Sequence, residues 1–200
     1  MKGRRGSCVS LLTRCLIYAG IVGVLSTVVP GAALCGAATP AQFIDAHFSL
    51  TRLDGQNVTD ADYRGKWLLV YFGYTFCPDV CPTTLSEMSA ALDALGPRGD
   101  KFQPIFITLD PARDSVKVMT DYLRAFSPKF VGLRGNGMAT AETAERFHVY
   151  YRLRGLGNGQ YTVDHSSYVY VIDPKGQFVE LLSPDVPGHS MAAALRKLPD

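Results

Sequence analysis

Two cysteines separated by three residues follow directly on an apolar segment, and their placement limits what the chain can fold into. Cys77 and Cys81 lie in the run Tyr71–Pro82, which begins inside the nearly uninterrupted apolar and aromatic segment Trp67–Tyr74. Such a segment is typical of a buried strand in a parallel sheet. If a helix begins after it, both sulfurs reach the edge of an α/β sheet where ligands bind. This placement favours redox or metal chemistry.

The residues after the cysteines complete the pattern of a strand, a helix and a second strand. Apolar side chains recur at the spacing of one helical face, and Gly96 with Pro97 ends the helix. The recurring residues are Leu85, Met88, Leu92 and Leu95. Phe102–Leu109 then predicts a second apolar strand. A right-handed crossover makes the two strands a parallel pair.

The start of this helix bears on the acidity of the cysteines. Pro82 suits the first helical position, which predicts that Cys81 is the capping residue. Thr84 with Glu87 offers a competing capping box further along. In either case Cys77 lies one tight turn away from Cys81. The unpaired N–H groups and the dipole of a helix N-terminus make cysteines there more acidic than free cysteine.

The remaining segments predict a fold of α/β class. The predicted elements are a hairpin over Ser49–Val58, a helix from Ser115 to about Phe126, a helix from Thr140 to about His148, strands Tyr168–Ile172 and Gln177–Leu182, and a helix over Ser190–Leu198. The last two strands form an antiparallel hairpin. This order resembles the thioredoxin fold. We therefore predict a thioredoxin-like single domain with a mixed central sheet flanked by helices.

The N-terminal residues 1–38 are predicted to be a signal peptide or an N-terminal membrane anchor, followed by a functional domain over residues 39–200. Four basic residues precede a long stretch without charge, and Leu16–Val29 resembles the apolar core of a signal peptide. Pro30 favours a break over a continuous membrane span. The positive N-terminus indicates that the domain is exported to the periplasmic face, where it is anchored in the inner membrane or soluble after cleavage.

Charge and cysteine usage narrow the function of the exported domain. Without the leader, 16 Lys and Arg face 18 Asp and Glu, so the formal charge changes from +2 to −2. No basic run supports nucleic-acid binding. The leader also contains three of the five cysteines, Cys8, Cys15 and Cys35. One close pair remains, which is typical of a working site rather than of a disulfide-stapled scaffold.

Three chemistries fit the pair. A static disulfide is the least favoured, because closing so short a loop contributes little chain-entropy stabilisation. Thiol–disulfide exchange is the second, but thioredoxin-type enzymes place two residues between their cysteines and this chain places three. The third is a two-sulfur chelate for a soft metal, for which Cu(I) is the most consistent ion. A structural zinc site normally needs four protein ligands, and the domain has no second cysteine pair.

A histidine in the last third of the chain is the candidate third ligand. His165 precedes the predicted antiparallel hairpin, in the loop that packs against the cysteine turn of a thioredoxin fold. Oxidoreductases of that fold place a cis-proline there, but this chain has no proline between Pro128 and Pro174. The other histidines, His47, His148 and His189, are interpreted as ordinary surface or core residues.

Several motifs together give the chain a resemblance to the Sco/SenC family. They are the run Tyr71–Pro82, Asp110-Pro111, Arg113-Asp114, the segment Phe130–Leu133, and Asp164-His165-Ser166 ahead of Asp173–Gly176. The resemblance extends from about Phe48 to the C-terminus. That family comprises thioredoxin-like, membrane-associated proteins that bind copper through two cysteines and one histidine. They help to assemble the binuclear copper centre of cytochrome c oxidase. The resemblance implies that Cys77, Cys81 and His165 are copper ligands.

The leading hypothesis is therefore a copper metallochaperone rather than an enzyme, carrying copper as Cu(I) or Cu(II). Its partners would be the copper-bearing subunit of cytochrome c oxidase, thioredoxin-like reductants or other copper chaperones, and the membrane through the N-terminus. Oxidation of the redox-active pair Cys77 and Cys81 would block copper loading. The alternatives are a thiol–disulfide reductase that keeps the cysteines of the oxidase subunit reduced, and a redox or copper sensor.

Other marked residues receive weaker functional interpretations. Asp79 is interpreted as an exposed turn residue, with Cu(II) or partner contact as the alternative. Asp110, Arg113 and Asp114 fit either a partner-docking or ion-pair loop or ordinary capping and solvation. Met88 falls on the apolar helical stripe, which favours core packing over copper ligation. Aromatic residues near the pair are expected to shield the site and fill the core, namely Tyr71, Phe72, Tyr74 and Phe76.

Overall fold

A computed structural model describes residues 44–199 of the chain. The predicted leader over residues 1–38, with Cys8, Cys15 and Cys35, lies outside these residues. Among the helices within them, none has both the length and the apolarity needed to cross a bilayer.

The described residues form nine strands, four α-helices and two 3₁₀ helices. The strands are β1 (Ser49–Arg52), β2 (Asn57–Thr59), β3 (Trp67–Gly73), β4 (Phe102–Thr108), β5 (Val131–Arg134), β6 (Tyr151–Gly157), β7 (Gln160–His165), β8 (Val169–Ile172) and β9 (Phe178–Leu182). The α-helices are α1 (Val80–Ala94), α2 (Val116–Arg124), α3 (Gly137–Arg146) and α4 (Gly188–Leu195). Two 3₁₀ helices, Asp60–Tyr63 and Gly96–Lys101, precede β3 and β4.

The central sheet is mixed. Seven of the described strands form it in the order β2-β1-β5-β4-β3-β8-β9. β3, β4 and β5 run parallel, whereas β1 and β8 pair with this parallel group in the antiparallel sense. β6 and β7 form a separate two-stranded antiparallel sheet. The predicted parallel unit and the predicted C-terminal hairpin are both confirmed.

The core lies on both faces of β3, because neighbouring side chains of a strand point to opposite faces. All seven residues of β3 are buried. Tyr71 packs beside Phe106 of β4, and Tyr122 of α2 covers Phe106. On the other face, Phe72 packs edge-on against Phe147, which directly follows α3. Helices therefore flank the sheet on both sides, as predicted.

Three helix starts differ from the predictions. Asp79, not Cys81, is the residue before the first helical residue of α1. α3 begins after Asn136 rather than at Thr140, because the Asn136 side chain accepts a hydrogen bond from the backbone N–H of Ala139 at 2.9 Å. α4 begins at Gly188, two residues earlier than expected. Strand β5 and the hairpin of β6 and β7 had no predicted counterpart.

Candidate metal centre

The cysteine turn connects β3 to α1 at the end of the parallel strands. The backbone N–H of Cys77 donates to the carbonyl of Tyr74 at 3.3 Å, which closes the turn. Cys81 lies in the first turn of α1 instead of capping it, and its N–H donates to the Sγ of Cys77 at 3.4 Å. One of the N–H groups that a helix leaves unpaired at its start therefore points at the Cys77 sulfur.

His165 is the last residue of β7. The sequence analysis had placed it in a loop instead. Its Nε2 lies 3.4 Å from the Sγ of Cys81. Its Nδ1 lies 2.9 Å from the carbonyl oxygen of Ser166. A carbonyl oxygen only accepts hydrogen bonds, so Nδ1 carries the proton and donates it. In the neutral ring this leaves the lone pair of Nε2 facing the sulfurs, which is the arrangement a metal-ligating histidine needs.

The three predicted residues meet at one point. One ligand atom each of Cys77, Cys81 and His165 lies within 4.8 Å of the other two, and no further group in the described part of the chain offers such a cluster of three or more. Cys81 is fully buried and Cys77 is 8% exposed. An open cleft of about 420 Å³ reaches Cys77 and His165 but not Cys81. Access to the site is therefore through Cys77 and His165.

The two thiols differ electrostatically although they are neighbours. A hydrogen bond from the Cys81 thiol, with further hydrogen bonds from backbone N–H groups, lowers the pKa of Cys77 to about 4 against the effect of burial. The same hydrogen bond, together with burial, raises the pKa of Cys81. Without a bound ion the pair is therefore a Cys77 thiolate beside a Cys81 thiol. Metal binding to both sulfurs requires the release of the second proton.

Two aromatic side chains flank the histidine ring. Tyr74 and Tyr71 meet the His165 ring edge-on, with centroids 5.9 Å and 6.4 Å away. Tyr71 is buried, and its hydroxyl has no hydrogen-bond partner. Burial, followed by the neighbouring Cys81 sulfur, raises the pKa of Tyr71. By contrast Phe76 is 56% exposed, so the expectation that it fills the core is wrong.

The remaining candidates do not join the cluster. Asp79 is exposed beside the cleft, and Met88 is fully buried in the core, as predicted. His47 is exposed and pairs with Asp60, and the exposed His189 lies in α4. His148 is also exposed and belongs to no cluster of potential metal ligands among residues 44–199.

The loop after β4 contains residues that the sequence analysis undervalued. Asp110 and Asp114 are 3% and 0% exposed, so solvation does not describe them. The ion-pair alternative is confirmed for Asp110, which pairs with Arg113. Asp114 accepts hydrogen bonds from the backbone N–H and the hydroxyl of Thr75, two residues before Cys77. One available signal was topological, because the ends of neighbouring parallel strands meet at the same sheet edge. The loop after β4 therefore lies beside the loop after β3.

Comparison with known proteins places the chain in a family. The family model described as SCO1/SenC matches residues 36–200. Protein sco1 of Schizosaccharomyces pombe is 42% identical over 152 residues, which cover 74% of this chain and 58% of that protein. Protein SenC of Rhodobacter capsulatus is 39% identical over 142 residues, covering 71% of this chain and 64% of that protein. The chain thus spans less than two thirds of these curated relatives.

A solved structure shares the fold. The structure of Bradyrhizobium japonicum ScoI with copper bound is 40% identical, has a TM-score of 0.71, and covers 77% of this chain and 98% of that one. The predicted thioredoxin-like fold is thereby confirmed. Because the family model covers most of the chain and the motifs of the cysteine turn and the histidine meet in one site, the chain belongs to the SCO1/SenC family.

Proposed function

We propose that the protein is a copper metallochaperone that binds copper through Cys77, Cys81 and His165 and delivers it to the binuclear copper centre of cytochrome c oxidase. The convergence of two sulfurs and one imidazole nitrogen in an open cleft is the observation that carries the proposal. Thiolates and imidazole form a donor set suited to soft Cu(I). The copper-bound state of the Bradyrhizobium relative supports the choice of metal.

Copper would bind to the two cysteines one after the other. Cys77 lines the cleft as a thiolate, so it is the ligand that incoming Cu(I) reaches first. Binding to the buried Cys81 then requires loss of its proton, and the lone pair of His165 Nε2 completes the set. Delivery would reverse this order, because an acceptor protein reaches the copper only from the side of Cys77 and His165.

An anaerobic Cu(I) titration of the reduced domain tests the ligand set. We expect one copper per wild-type domain and weaker binding in Cys77→Ser, Cys81→Ser and His165→Ala. His189→Ala is the matched control, because His189 is exposed on α4 away from the cluster. Its affinity should equal that of the wild type. Wild-type affinity in His165→Ala would contradict the three-ligand site.

The low pKa of Cys77 supports a second candidate, a thiol–disulfide reductase of the oxidase subunit. A Cys77 thiolate would attack the subunit disulfide, and Cys81 would then resolve the mixed disulfide, leaving the subunit reduced and this pair oxidised. The reduction potential of the pair and the rate of subunit reduction by metal-free protein test this function. A rate that is retained in His165→Ala favours the reductase over the chaperone.

We further propose that residues 39–200 work on the periplasmic face, attached by an anchor or released by signal cleavage. The basic residues ahead of the uncharged N-terminal stretch support export. Cell fractionation followed by N-terminal sequencing separates the two forms. Intact N-termini in the membrane fraction indicate an anchor, whereas a start near residue 39 in the soluble fraction indicates cleavage. Recovery in the cytoplasm would contradict export.

A further inference from the structure

Residues 110–114, which we call the brace loop, lie between the two segments that supply the sulfurs and the imidazole. The loop follows β4 and is closed by hydrogen bonds from the N–H groups of Arg113 and Asp114 to the carbonyl of Asp110. Both of its carboxylates are buried. Burying a carboxylate is costly unless it is paired or hydrogen-bonded. The partners of these two side chains therefore indicate what the loop holds together.

One arm of the brace loop reaches the cysteine turn. Asp114 accepts hydrogen bonds from the N–H of Thr75 at 3.1 Å and from the Thr75 hydroxyl at 2.6 Å. It also accepts from the hydroxyl of Thr108, the last residue of β4. The N–H of Leu109 donates to the carbonyl of Gly73 at 2.8 Å. The turn that presents Cys77 is thus tied to the end of the neighbouring strand.

The other arm reaches the strand that ends in His165. The hydroxyl of Tyr161 donates to Oδ1 of Asp110 at 2.8 Å, and Nη1 of Arg113 donates to the backbone carbonyl of Tyr161 at 2.9 Å. Arg113 also donates from Nε to Oδ2 of Asp110. The guanidinium carbon of Arg113 lies 3.7 Å from the centroid of the Tyr161 ring, a stacked cation–π contact. Tyr161 is thus held at its backbone, its ring and its hydroxyl.

Among the residues of β7 that precede His165, side-chain contacts have to hold the strand in place. β7 pairs with β6 in a sheet separate from the central one, so no strand ladder ties Tyr161 to β3. After His165, the chain enters the central sheet at Val169. Before it, the described hydrogen bonds between β7 and the rest of the domain are those of Tyr161 and one between the hydroxyls of Thr162 and Tyr74 at 2.8 Å.

We propose that Asp110 and Arg113 are positioning residues that hold Tyr161, and through it Nε2 of His165, within reach of the two cysteines. Asp114 fixes the cysteine turn to the same loop, so one loop sets the separation of the two ligand segments. The proposal rests on the proposed function only in that the held atoms are taken as copper ligands. The contacts themselves belong to the metal-free protein.

Two conservative variants remove one contact each. Tyr161→Phe deletes the hydroxyl bound by Asp110, and Asp110→Asn removes the charge that pairs with Arg113. The matched controls are Tyr150→Phe and Asp121→Asn, which alter exposed residues outside the brace loop. We expect Cu(I) affinity to fall about tenfold in the two test variants, the lower end of the effect of lost supporting contacts at metal sites. The controls should bind as the wild type does.

A double-variant cycle separates positioning from general weakening. If Asp110 acts through His165, then Asp110→Asn combined with His165→Ala binds copper as weakly as His165→Ala alone. Independent, additive losses would overturn the proposal, because they would mean that Asp110 supports the fold or the cysteines rather than the histidine. If Asp110→Asn fails to fold, the same cycle is measured with Tyr161→Phe, which removes only the hydroxyl oxygen.

A metal-free measurement keeps this proposal separate from the proposed function. In reduced protein without copper, ring protons of His165 and Tyr74 should show a nuclear Overhauser effect, since the rings meet edge-on. We expect the effect to weaken in Tyr161→Phe and Asp110→Asn and to persist in Tyr150→Phe and Asp121→Asn. An unchanged Overhauser effect in the test variants would overturn the proposal that the brace loop positions His165. Wild-type copper affinity in His165→Ala, with a weakened Overhauser effect in the test variants, would reject the ligand set alone.

Discussion

The two cysteines are chemically unequal although they are four positions apart. Cys77 receives the N–H of Cys81 and lines an open cleft, whereas Cys81 is fully buried behind it. The inequality follows from where α1 begins. Because Asp79 precedes the helix, Cys81 lies inside the first turn and points its N–H at Cys77. A helix that began after Cys81 would not give this arrangement.

Alkylation should report this inequality directly. In the domain of residues 39–200, which lacks the three leader cysteines, we expect iodoacetamide to add once, at Cys77. Its rate should be nearly constant between pH 6 and pH 8, because Cys77, with a pKa of about 4, is already a thiolate. An ordinary thiol, with a pKa of about 8.5, would react roughly a hundredfold faster at pH 8 than at pH 6. Mass spectrometry gives the site and the rate. In Cys81→Ala the rate should become pH-dependent, and a steep pH dependence in the wild type would contradict the assignment.

Gly73, the last residue of β3, marks how closely the site is packed. A Cβ there would lie 3.0 Å from the Sγ of Cys81 and 3.1 Å from a ring carbon of Phe106. Both neighbours are fully buried and cannot easily move. Gly73→Ala should therefore lower the free energy of unfolding by about 1–3 kcal/mol and weaken copper binding by displacing Cys81. Urea unfolding and Cu(I) titration measure the two effects.

The control for this substitution is a glycine with free space. No atom lies within 4 Å of a Cβ placed on Gly137, the first residue of α3. Gly137→Ala should change the free energy of unfolding by less than about 1 kcal/mol, in the stabilising direction. Equal losses of stability in both variants would mean that packing against Cys81 is not the cause.

At the scale of elements, the loop between β4 and α2 makes stability depend on pH through Asp114. Burial raises the pKa of Asp114, although hydrogen bonds from Thr108 and Thr75 lower it in part. A carboxyl whose pKa is raised by folding contributes stability below its unfolded pKa of about 3.9 and loses that contribution as pH rises through the folded pKa. The stability advantage of the wild type over Asp114→Asn should therefore be larger at pH 4 than at pH 7.

Urea unfolding of both proteins at the two pH values measures this difference. Asp121→Asn provides a control of opposite sign, because a hydrogen bond from Lys117 lowers the pKa of Asp121. The contribution of Asp121 should therefore be lost as pH falls rather than as it rises. If the stability advantage of the wild type over Asp114→Asn grew from pH 4 to pH 7, the raised pKa of the buried Asp114 carboxyl would be contradicted.

Sequence patterns predicted the elements that carry strong periodicity and missed those that do not. β3, β4 and α1 have uninterrupted or helically spaced apolar residues, and each was placed within about two residues. β6 could not be found in this way, since its residues are almost all exposed and it contains glycines, so it lacks the alternation of a half-buried strand. His165, which lies in the paired strand β7, was therefore assigned to a loop.

The brace loop was only partly predicted, for a related reason. Aspartates in a loop after a strand are usually solvated or capping residues, and nothing local distinguishes Asp110 or Asp114 from those. Their burial depends on Thr75 and Tyr161, which are distant in sequence. The sheet order, with β4 beside β3, brings Thr75 to the loop, and side-chain contacts bring Tyr161 of β7 to it. A side chain's partners across a fold are set by topology rather than by its neighbours in sequence.

At the scale of the whole molecule, the site joins segments that only the folded chain brings together. Cys77 and Cys81 are four positions apart, but His165 is 84 positions beyond Cys81. The cysteine pair can therefore chelate copper in an unfolded chain as well. The histidine contributes only after the central sheet, the cysteine turn and the hairpin of β6 and β7 have formed. Copper bound by all three should therefore favour the folded state.

Copper should thus stabilise the folded protein in a way that depends on His165. A ligand that binds only the folded state, with the free ligand at a hundred times Kd, raises the free energy of unfolding by about 2.7 kcal/mol. Copper binding to the cysteines of the unfolded chain reduces this gain in the free energy of unfolding. The gain should therefore be smaller in His165→Ala, because the folded and unfolded states of that variant offer mainly the same two sulfurs. Anaerobic urea unfolding at fixed free Cu(I) measures the gain. His189→Ala should match the wild type, and equal gains in His165→Ala and the wild type would show that the histidine adds no copper affinity on folding.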